Sequence, residues 1–387
     1  MTTVAAAVRP ADAGECAAAL AEASRDRRTV RVRGAGTKSY LGELLHTDVI
    51  LETAALTGIV DHVPADLTVT VAAGTRLADL QRALGQHGQH LPLDPPHGDG
   101  ATIGGIVAAA SDGFGRLRYG GVRDLLIGTV VALADGTVAH GGGRVVKNVA
   151  GYDLNKLLIG SFGTLGVITE ATFKILPLPA ARTLVLATCR RAADAFAITD
   201  ALARTPLRPT ALVVDGTRDT WTALVGAHGQ PPQVDRARRE AESAAAHVGA
   251  ATETADDESA LAALRDLPAT ATDGALIRAA LPLAAQRSFA ESAARLDAFA
   301  RLVADAGSGT IRVHLRGDDA AVLLAADTLL AAATFVGGSA RVERRHPGLH
   351  DRLRAWSVRP AGDFLMERIK DAFDPAGILE PGRSILG

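Results

Sequence analysis

Residues 95–177 read PPHGDGATIGGIVAAASDGFGRLRYGGVRDLLIGTVVALADGTVAHGGGRVVKNVAGYDLNKLLIGSFGTLGVITEATFKILP. Between Gly98 and Gly166 this stretch holds 17 of the chain's 40 glycines, more than a packing scaffold needs. Glycine lets backbone approach a ligand closely and reach φ > 0, at an entropic cost in ordinary elements. A run that accepts this cost repeatedly is expected to wrap a bound molecule.

The parts agree with that purpose. Ala101-Thr102-Ile103-Gly104-Gly105 leads into the apolar run Ile106 to Ala110, a turn opening a short helix. The unpaired N–H groups and dipole of such an opening suit a phosphate. Leu125 to Ala134 is a continuous apolar run, the pattern of a buried strand. Asp135-Gly136 turns it and Thr137 to Ala139 starts the return, a hairpin signal. Tyr152 to Ile159 reads as helix, and Gly160 to Gly166 bends into a strand from Val167 to Leu176.

Residues that the chain otherwise avoids gather here. Of 5 lysines among 41 basic residues, Lys147, Lys156 and Lys174 lie in this window, with the only two asparagines, Asn148 and Asn155. The stretch resembles the FAD-binding domain of the vanillyl-alcohol oxidase and p-cresol methylhydroxylase (PCMH) type. Arg144 to Leu154, RVVKNVAGYDL, followed by Gly160 to Gly166, GSFGTLG, resembles the glycolate oxidase group, and within it the FAD-binding E subunit. The resemblance is strong over roughly residues 28–180 and weak over the C-terminal tail.

Upstream, Ala11 to Arg25 has helical apolar spacing, and Thr29 to Arg33 alternates as a strand. The strand delivers Gly34-Ala35-Gly36-Thr37-Lys38-Ser39, a loop whose amides can form an anion nest. By itself such a loop is only a turn; the resemblance implies that it holds the FAD pyrophosphate. Thr37 stands where some relatives carry a histidine bonded to the flavin, so FAD is expected to be held non-covalently. Strands follow at Val49 to Glu52, Gly58 to Val63 and Leu67 to Ala72, then a helix from Arg76 to Gln86. Leu77, Leu80 and Leu84 lie on one face of that helix. His87, His90 and His97 crowd the next loop, but no carboxylate at ligand spacing joins them, and loop histidines rather than a metal site are expected.

On the resemblance, the first loop contributes Arg33 with Gly34, Ala35, Gly36, Thr37, Lys38 and Ser39 to FAD. The central stretch contributes Pro95, Thr102, Ile103, Gly104, Gly105, Ser111, Gly113, Tyr119 and Gly120. The last segment contributes Asn148, Gly151, Tyr152, Gly163, Gly166, Val167 and Ile168. Arg116, Arg118 and Arg123 are either phosphate partners or solvated loop arginines.

Pro177-Leu178-Pro179 marks a boundary, because X-Pro steps favour extended backbone. Beyond it the expected alternation is a strand at 183–188, a helix at 192–204, strands at 212–215 and 221–227, and helices at 234–248 and 255–267. A strand at 275–281, a helix at 289–305, a strand at 310–315 and a helix at 320–334 follow. Repeated β-α-β order suggests an α+β cap of ferredoxin-like character. The fold class is therefore α+β: a PCMH-type FAD-binding domain of two α+β subdomains over 1–180, a cap over 181–345, and a tail over 346–387. That tail, with a helix at Phe364 to Phe373 and then Gly377 to Arg383, resembles the family's closing segment, which returns near the flavin.

A flavin accepts a hydride from a carbon bearing a hydroxyl, and the protein must orient that carbon and assist the hydroxyl proton. Catalytic relatives carry Gly-His-x-Gly-Asp-Gly-Asn-x-His and a later Glu-His, which supply metal ligands and a base. The nearest remnant is Gly309 to Asp318, GTIRVHLRGD, with one histidine. His314, Arg316 and Arg383 are the remaining catalytic candidates, a satisfied strand-end histidine being the alternative for His314. No metal site is expected.

Net charge is −2 with both signs interspersed, which points to neither nucleic acid nor an anionic membrane. No run of about 18 apolar residues offers a membrane span. Cys16 and Cys189 cannot ligate an iron–sulfur cluster by themselves. The N-terminus lacks a basic n-region, so cytoplasm is the expected compartment, with membrane attachment only through a partner. Three readings stay open. The first is an FAD-binding subunit of a glycolate oxidase or dehydrogenase complex, beside a catalytic flavoprotein and an iron–sulfur subunit, acting on a small 2-hydroxy acid. The second is a free-standing flavoenzyme oxidising a hydroxy acid or alditol. The third is an assembly subunit with a retained flavin site.

Overall fold

The computed structural model describes residues 5–43, 45–143, 153–255, 258–356 and 361–385. The chain divides into two compact units. Unit one takes residues 1–112, 120–178 and 358–387; unit two takes 113–119 and 179–357.

Unit one begins with β1 (Ala6–Val8), α1 (Ala13–Arg25), β2 (Val30–Arg33) and β3 (Val49–Glu52). Asp12 caps α1 by accepting from the Glu15 amide at 2.8 Å, which satisfies one of the orphan donors of the first turn. Cys16, Ala17, Leu20 and Ala23 form its buried face. The three strands pair in parallel in the order β1-β3-β2. A second layer contains β4 (Ile59–Val63), β5 (Thr68–Ala72), α2 (Leu77–Gly85) and the short β6 (Gln89–His90). Leu77, Leu80 and Leu84 of α2 are all buried, as their spacing requires.

The glycine-rich stretch supplies α3 (Ile103–Ala108), the single turns α4 (Arg116–Tyr119) and α5 (Val122–Leu125), and the hairpin β7 (Leu126–Ala132) and β8 (Val138–Gly142). After it come α6 (Asn155–Leu158), β9 (Val167–Lys174) and β10 (Leu176–Pro177). Strands β4-β5-β9-β7-β8 make one antiparallel sheet, and β10 pairs with β6. Unit one thus holds a three-stranded, a five-stranded and a small two-stranded sheet, the first two corresponding to the two α+β subdomains expected of it.

Unit two is one eight-stranded sheet of β11 (Ala181–Cys189), β12 (Ala211–Gly216), β13 (Trp221–Gly229), β14 (Ala251–Ala255), β15 (Ala275–Ala280), β16 (Phe299–Asp305), β17 (Thr310–Leu315) and β18 (Ser339–Arg345). Its helices are α7 (Ala192–Ala203), α8 (Pro231–His247), α9 (Ser259–Arg265), α10 (Leu267–Thr270), α11 (Gln286–Ala293) and α12 (Asp319–Phe335). The strand order β14-β11-β13-β12-β16-β17-β15-β18 contains the same β-α-β-β-α-β arrangement twice. The two copies join through the antiparallel β12–β16 pair.

Three strands depart from the expected alternation. Strands β14 and β18 are the sheet's two edges, and their sequences, ATETA and SARVERR, are polar because edges face water. Strand β16 lies inside the helix expected at 289–305, because α11 ends at Ala293 and only a short turn separates the two elements. The assignment of residues 113–119 also differs from a boundary at 180: Phe114 is 4 % exposed in a cluster with Leu184, Val213, Leu224 and Leu276 of unit two.

The C-terminal segment rejoins unit one. Helix α13 (Asp363–Phe373) is followed by Asp374, whose carboxylate accepts from the amides of Ile378 (3.1 Å) and Leu379 (2.8 Å). Lys370 Nζ ties this turn to Asp374 (2.5 Å), Thr164 O (2.8 Å) and Leu379 O (3.1 Å). The chain then lies beside β2: Val30 donates to Ile378 O at 2.8 Å, and Glu380 donates to Val30 O at 2.9 Å.

Candidate functional site

A concave site in unit one is lined by the loop Arg33 to Ser39, by Thr102, Gly105, Ala108 and Ala109 of the α3 region, by Phe162, and by Glu380 and Arg383 from the tail. The loop leaves β2 through Gly34 and turns at Gly36, whose φ of +74° favours glycine. Among the described residues no protein acceptor takes the amides of Ala35, Gly36 or Thr37. Three such donors on a concave turn form a nest for an anion. Lys38 Nζ donates to Pro96 O at 2.7 Å, which anchors the loop to the stiff Pro95-Pro96 step.

The loop can lie close against the start of α3 because Gly34 has no side chain. A Cβ there would overlap Thr102 Oγ1. Thr102 is the N-cap residue of α3, and Gly105 one turn in faces the same site. The opening of α3 differs from a free phosphate cup. The amide of Ile103 donates to Thr75 O (3.0 Å) and that of Gly104 to Ala73 O (2.7 Å). Gly104 is small for packing: an added Cβ would stand 2.9 Å from Ala73 Cβ.

The tail clamps the loop from behind. Arg383 is 7 % exposed and donates to Lys38 O (3.0 Å), Ser39 O (3.2 Å) and Leu41 O. Glu380 Oε1 accepts from the Val32 amide at 2.7 Å, and Oε2 lies 3.6 Å from Arg31 Nε and 3.5 Å from Arg383 Nε. Burial dominates both partners. It pushes the Glu380 carboxyl up against Arg383, the Val32 amide, Arg31 and Lys370, and pushes Arg383 down against Glu380. The residues present fit the diphosphate of a dinucleotide: unpaired amides, adjacent cations, and a glycine at which any Cβ would drive the loop off Thr102.

Other sequence-derived positions fall elsewhere. The side chains of Ile103, Val167 and Ile168 belong to the core, and Gly166 packs on Val131. Ser111 donates to Ile106 O at 3.0 Å behind α3, Gly120 sits against Asp124, and Gly163 adjoins Glu380 and Val32. Asn148, Gly151 and Tyr152 lie outside the described residues. Gly113 and Tyr119 belong to unit two. There Tyr119 Oη bonds His228 Nδ1 (2.9 Å), and His228 Nε2 bonds Glu258 (2.7 Å). Burial raises the Tyr119 hydroxyl. For Glu258 burial acts upward as well, but the His228 bond and the charges of His228, Arg182 and Arg265 outweigh it and hold the carboxyl below its usual range.

The catalytic candidates do not form one set. In unit two, His314 Nε2 bonds Asp273 O at 2.9 Å, and Arg316 Nε pairs with Asp273 at 2.6 Å. Arg383 is the unit-one clamp. Among the described residues no group of three His, Cys, Asp or Glu side chains is arranged to hold a metal. Sequence reasoning missed Val32, Ala108, Ala109, Phe162 and Glu380 in the site wall. Phe162 had a signal, since it sits between glycines in Gly160 to Gly166. It takes φ +55°, a strained conformation for a bulky residue.

Comparison with known proteins agrees with this geometry. The "FAD binding domain" family matches residues 4–142, and the "FAD linked oxidases, C-terminal domain" family matches residues 354–384. "Glycolate oxidase subunit GlcE" of Escherichia coli (strain K12) is 42 % identical over 41 % of this chain and 46 % of its own length. "Glycolate oxidase subunit GlcD" of Bacillus subtilis (strain 168) is 29 % identical over 98 % of this chain and 88 % of its own length. "D-lactate dehydrogenase" of Archaeoglobus fulgidus is 36 % identical over 44 % of this chain and 38 % of its own length. The match thus spans less than half of the E. coli and A. fulgidus relatives. A solved alkyldihydroxyacetonephosphate synthase has the same fold, with a TM-score of 0.73 over 96 % of this chain and 75 % of its own, at 15 % identity. With the nest, the clamp and matches to both an FAD-binding domain and the C-terminal domain of FAD-linked oxidases, the cofactor is FAD, and over these segments the chain is similar to FAD-linked oxidases.

Proposed function

We propose that this chain is the FAD-binding subunit of a glycolate oxidase or dehydrogenase complex, working beside a catalytic flavoprotein and an iron–sulfur subunit in oxidising a small 2-hydroxy acid to the 2-oxo acid. Bound FAD supplies the acceptor for the hydride. This chain's residues would bind and orient it: the amides of Ala35 to Thr37 would hold the diphosphate, Thr102 and Gly105 would line its site, and Arg383 holds the loop in shape.

The observation that carries the subunit reading is the fate of the Gly309 to Asp318 stretch. Its charged and imidazole side chains are spent on partners elsewhere in unit two. Arg312 makes a two-pronged pair with Glu343 (2.7 and 3.3 Å), and His314 is held by Asp273. Burial alone would raise Glu343, yet Arg312, with Arg278 and Arg341, holds it down at about 2. Glu343 therefore remains an ion-pair partner and offers no proton base near neutral pH. General-base assistance is worth about 10²–10⁴-fold, and a chain without it should turn over poorly by itself.

Anaerobic stopped-flow bleaching of the flavin is the test. The isolated chain is expected to be reduced slowly by glycolate and D-lactate, with glycolate-dependent dye reduction restored on mixing with its partner subunits. Rapid reduction of the isolated chain, lost in His314→Ala, would replace this reading with the free-standing enzyme.

Attachment of the cofactor is proposed to be non-covalent, since the site wall presents Thr37, whose hydroxyl forms no stable bond to the ring. Acid precipitation should release all the yellow colour into the supernatant. Colour that stays with the washed pellet would refute it.

A further inference from the structure

Outside the dinucleotide site, the sheet of unit two carries an unusual row of charge. Strand β15 pairs antiparallel with β17 and with β18, and the registers set Arg278 opposite Arg312 on one side and opposite Arg341 on the other. Three guanidinium side chains thus stand in line across three adjacent strands. Like charges directly opposite in a sheet are destabilising. The neighbouring residues on β15 and β17, Ile277, Ala279, Ile311 and Val313, point into the helix-covered core, so the arginines occupy the opposite face.

Two of the three arginines have partners of their own. Glu343 serves Arg312 in a two-pronged pair. Arg341 stacks on the Trp356 ring, 5.1 Å from its centroid. Arg278 has neither a hydrogen bond nor an ion pair among the described residues. It lies deep in the face yet keeps part of its surface open to solvent. Burial, then Arg341 and Arg312, push its guanidinium down to about 10, against the pull of Glu343, and Arg116 adds to the repulsion. A cation in that setting is unfavourable without an anion, and its planar fork of donors matches the two oxygens of a carboxylate.

We propose that Arg278, flanked by Arg312 and Arg341 on the β17-β15-β18 face, binds the carboxylate of a small organic acid directly, with no metal between them. Only the choice of a hydroxy acid as that ligand rests on the reading above. Arg312 is spent on Glu343, so Arg278 is the residue that engages the ligand, and Arg341 adds field. The adjacent carboxyl of Glu343 limits the site to small acids, because a bulky anion would meet its charge.

The test uses the full chain loaded with FAD, treated with chelator, and titrated calorimetrically with oxalate, glycolate and inorganic phosphate, without any turnover. Oxalate and glycolate should bind in a salt-sensitive manner, unaffected by the chelator. Arg278→Met should weaken oxalate about 100-fold, as expected for loss of a doubly hydrogen-bonded charge, with FAD content unchanged. The ligand-free variant should melt no lower than the parent, since a repulsive buried charge has gone; a purely structural arginine would lower it. If the methionine variant does not fold, Arg278→Lys decides: it keeps charge, loses the fork, and should bind oxalate about tenfold more weakly. Unchanged oxalate affinity in a folded variant overturns the proposal, as does binding abolished by chelator, binding of phosphate alone, or no binding of any anion by the parent. Glycolate bound through Arg278 but never oxidised, even after the partner subunits are added, would sink the hydroxy-acid reading and leave this site standing. Oxidation indifferent to Arg278 would do the reverse.

Discussion

Gly34→Ala should yield a folded protein that purifies without FAD. An added Cβ has no room, because it would overlap Thr102 Oγ1 on the N-cap of α3. Relief requires the β2 loop or the α3 start to withdraw. Either movement disturbs the concave turn that presents the amides of Ala35, Gly36 and Thr37. Three charge-assisted hydrogen bonds at about 1.5–3 kcal/mol each are then at stake, against a single methyl group. Affinity should fall by at least about three orders of magnitude, since each 1.4 kcal/mol is a factor of ten. The loop is partly exposed, so the fold itself should change little. Gly85→Ala, at the end of α2 where a Cβ meets nothing within 4 Å, is the matched control and should keep full flavin. Gly104→Ala differs from both: its Cβ would press on Ala73, and it should lower the melting temperature whether or not flavin is present. Full occupancy by absorbance in Gly34→Ala would show that the diphosphate lies elsewhere.

Arg383→Met should cost both stability and cofactor. The side chain is buried and caps three carbonyls of the loop, at Lys38, Ser39 and Leu41. Its loss strands those acceptors and takes from the buried Glu380 its nearest cation, leaving it the Val32 amide, Arg31 at 3.6 Å and the charge of Lys370. Breaking a buried pair by removing one partner costs about 3–5 kcal/mol. For a unit of roughly 200 residues that corresponds to a drop of about 10 °C. Flavin should dissociate in parallel, because the loop that the clamp shapes is the loop that binds. Arg383→Lys should recover only a fraction, since one ammonium cannot fork to three carbonyls. Scanning calorimetry with flavin fluorescence checks both effects. A melting temperature within about 2 °C of the parent would mean that the tail does not support the loop.

How much of this was legible beforehand varied with the kind of interaction. Local signals carried far. The helical spacing of Leu77, Leu80 and Leu84 placed α2, Asp135-Gly136 placed the β7–β8 hairpin, and the β2 loop could be read as a nest from its glycines. These features depend on neighbours a few residues apart, which the sequence displays directly. The edge strands β14 and β18 were not legible, because a strand with one exposed edge and a polar face lacks the alternation that marks a buried one. Long-range closure was invisible for a different reason. Nothing near Glu380 or Arg383 indicates that they reach Val32 and Lys38 some 345 residues away. Nor does Phe114 announce that its stretch leaves the glycine-rich region for the core of unit two. The row Arg278, Arg312 and Arg341 is the clearest case. Each arginine alone reads as a solvated residue, and only the pairing register of β17, β15 and β18 brings the three charges side by side. The sequence by itself determined the glycine-bearing loop after β2, because a tight turn with φ > 0 demands glycine at fixed local positions. The tertiary structure alone decided the clamp and the charged row, because both arise from contacts between segments that no local spacing relates.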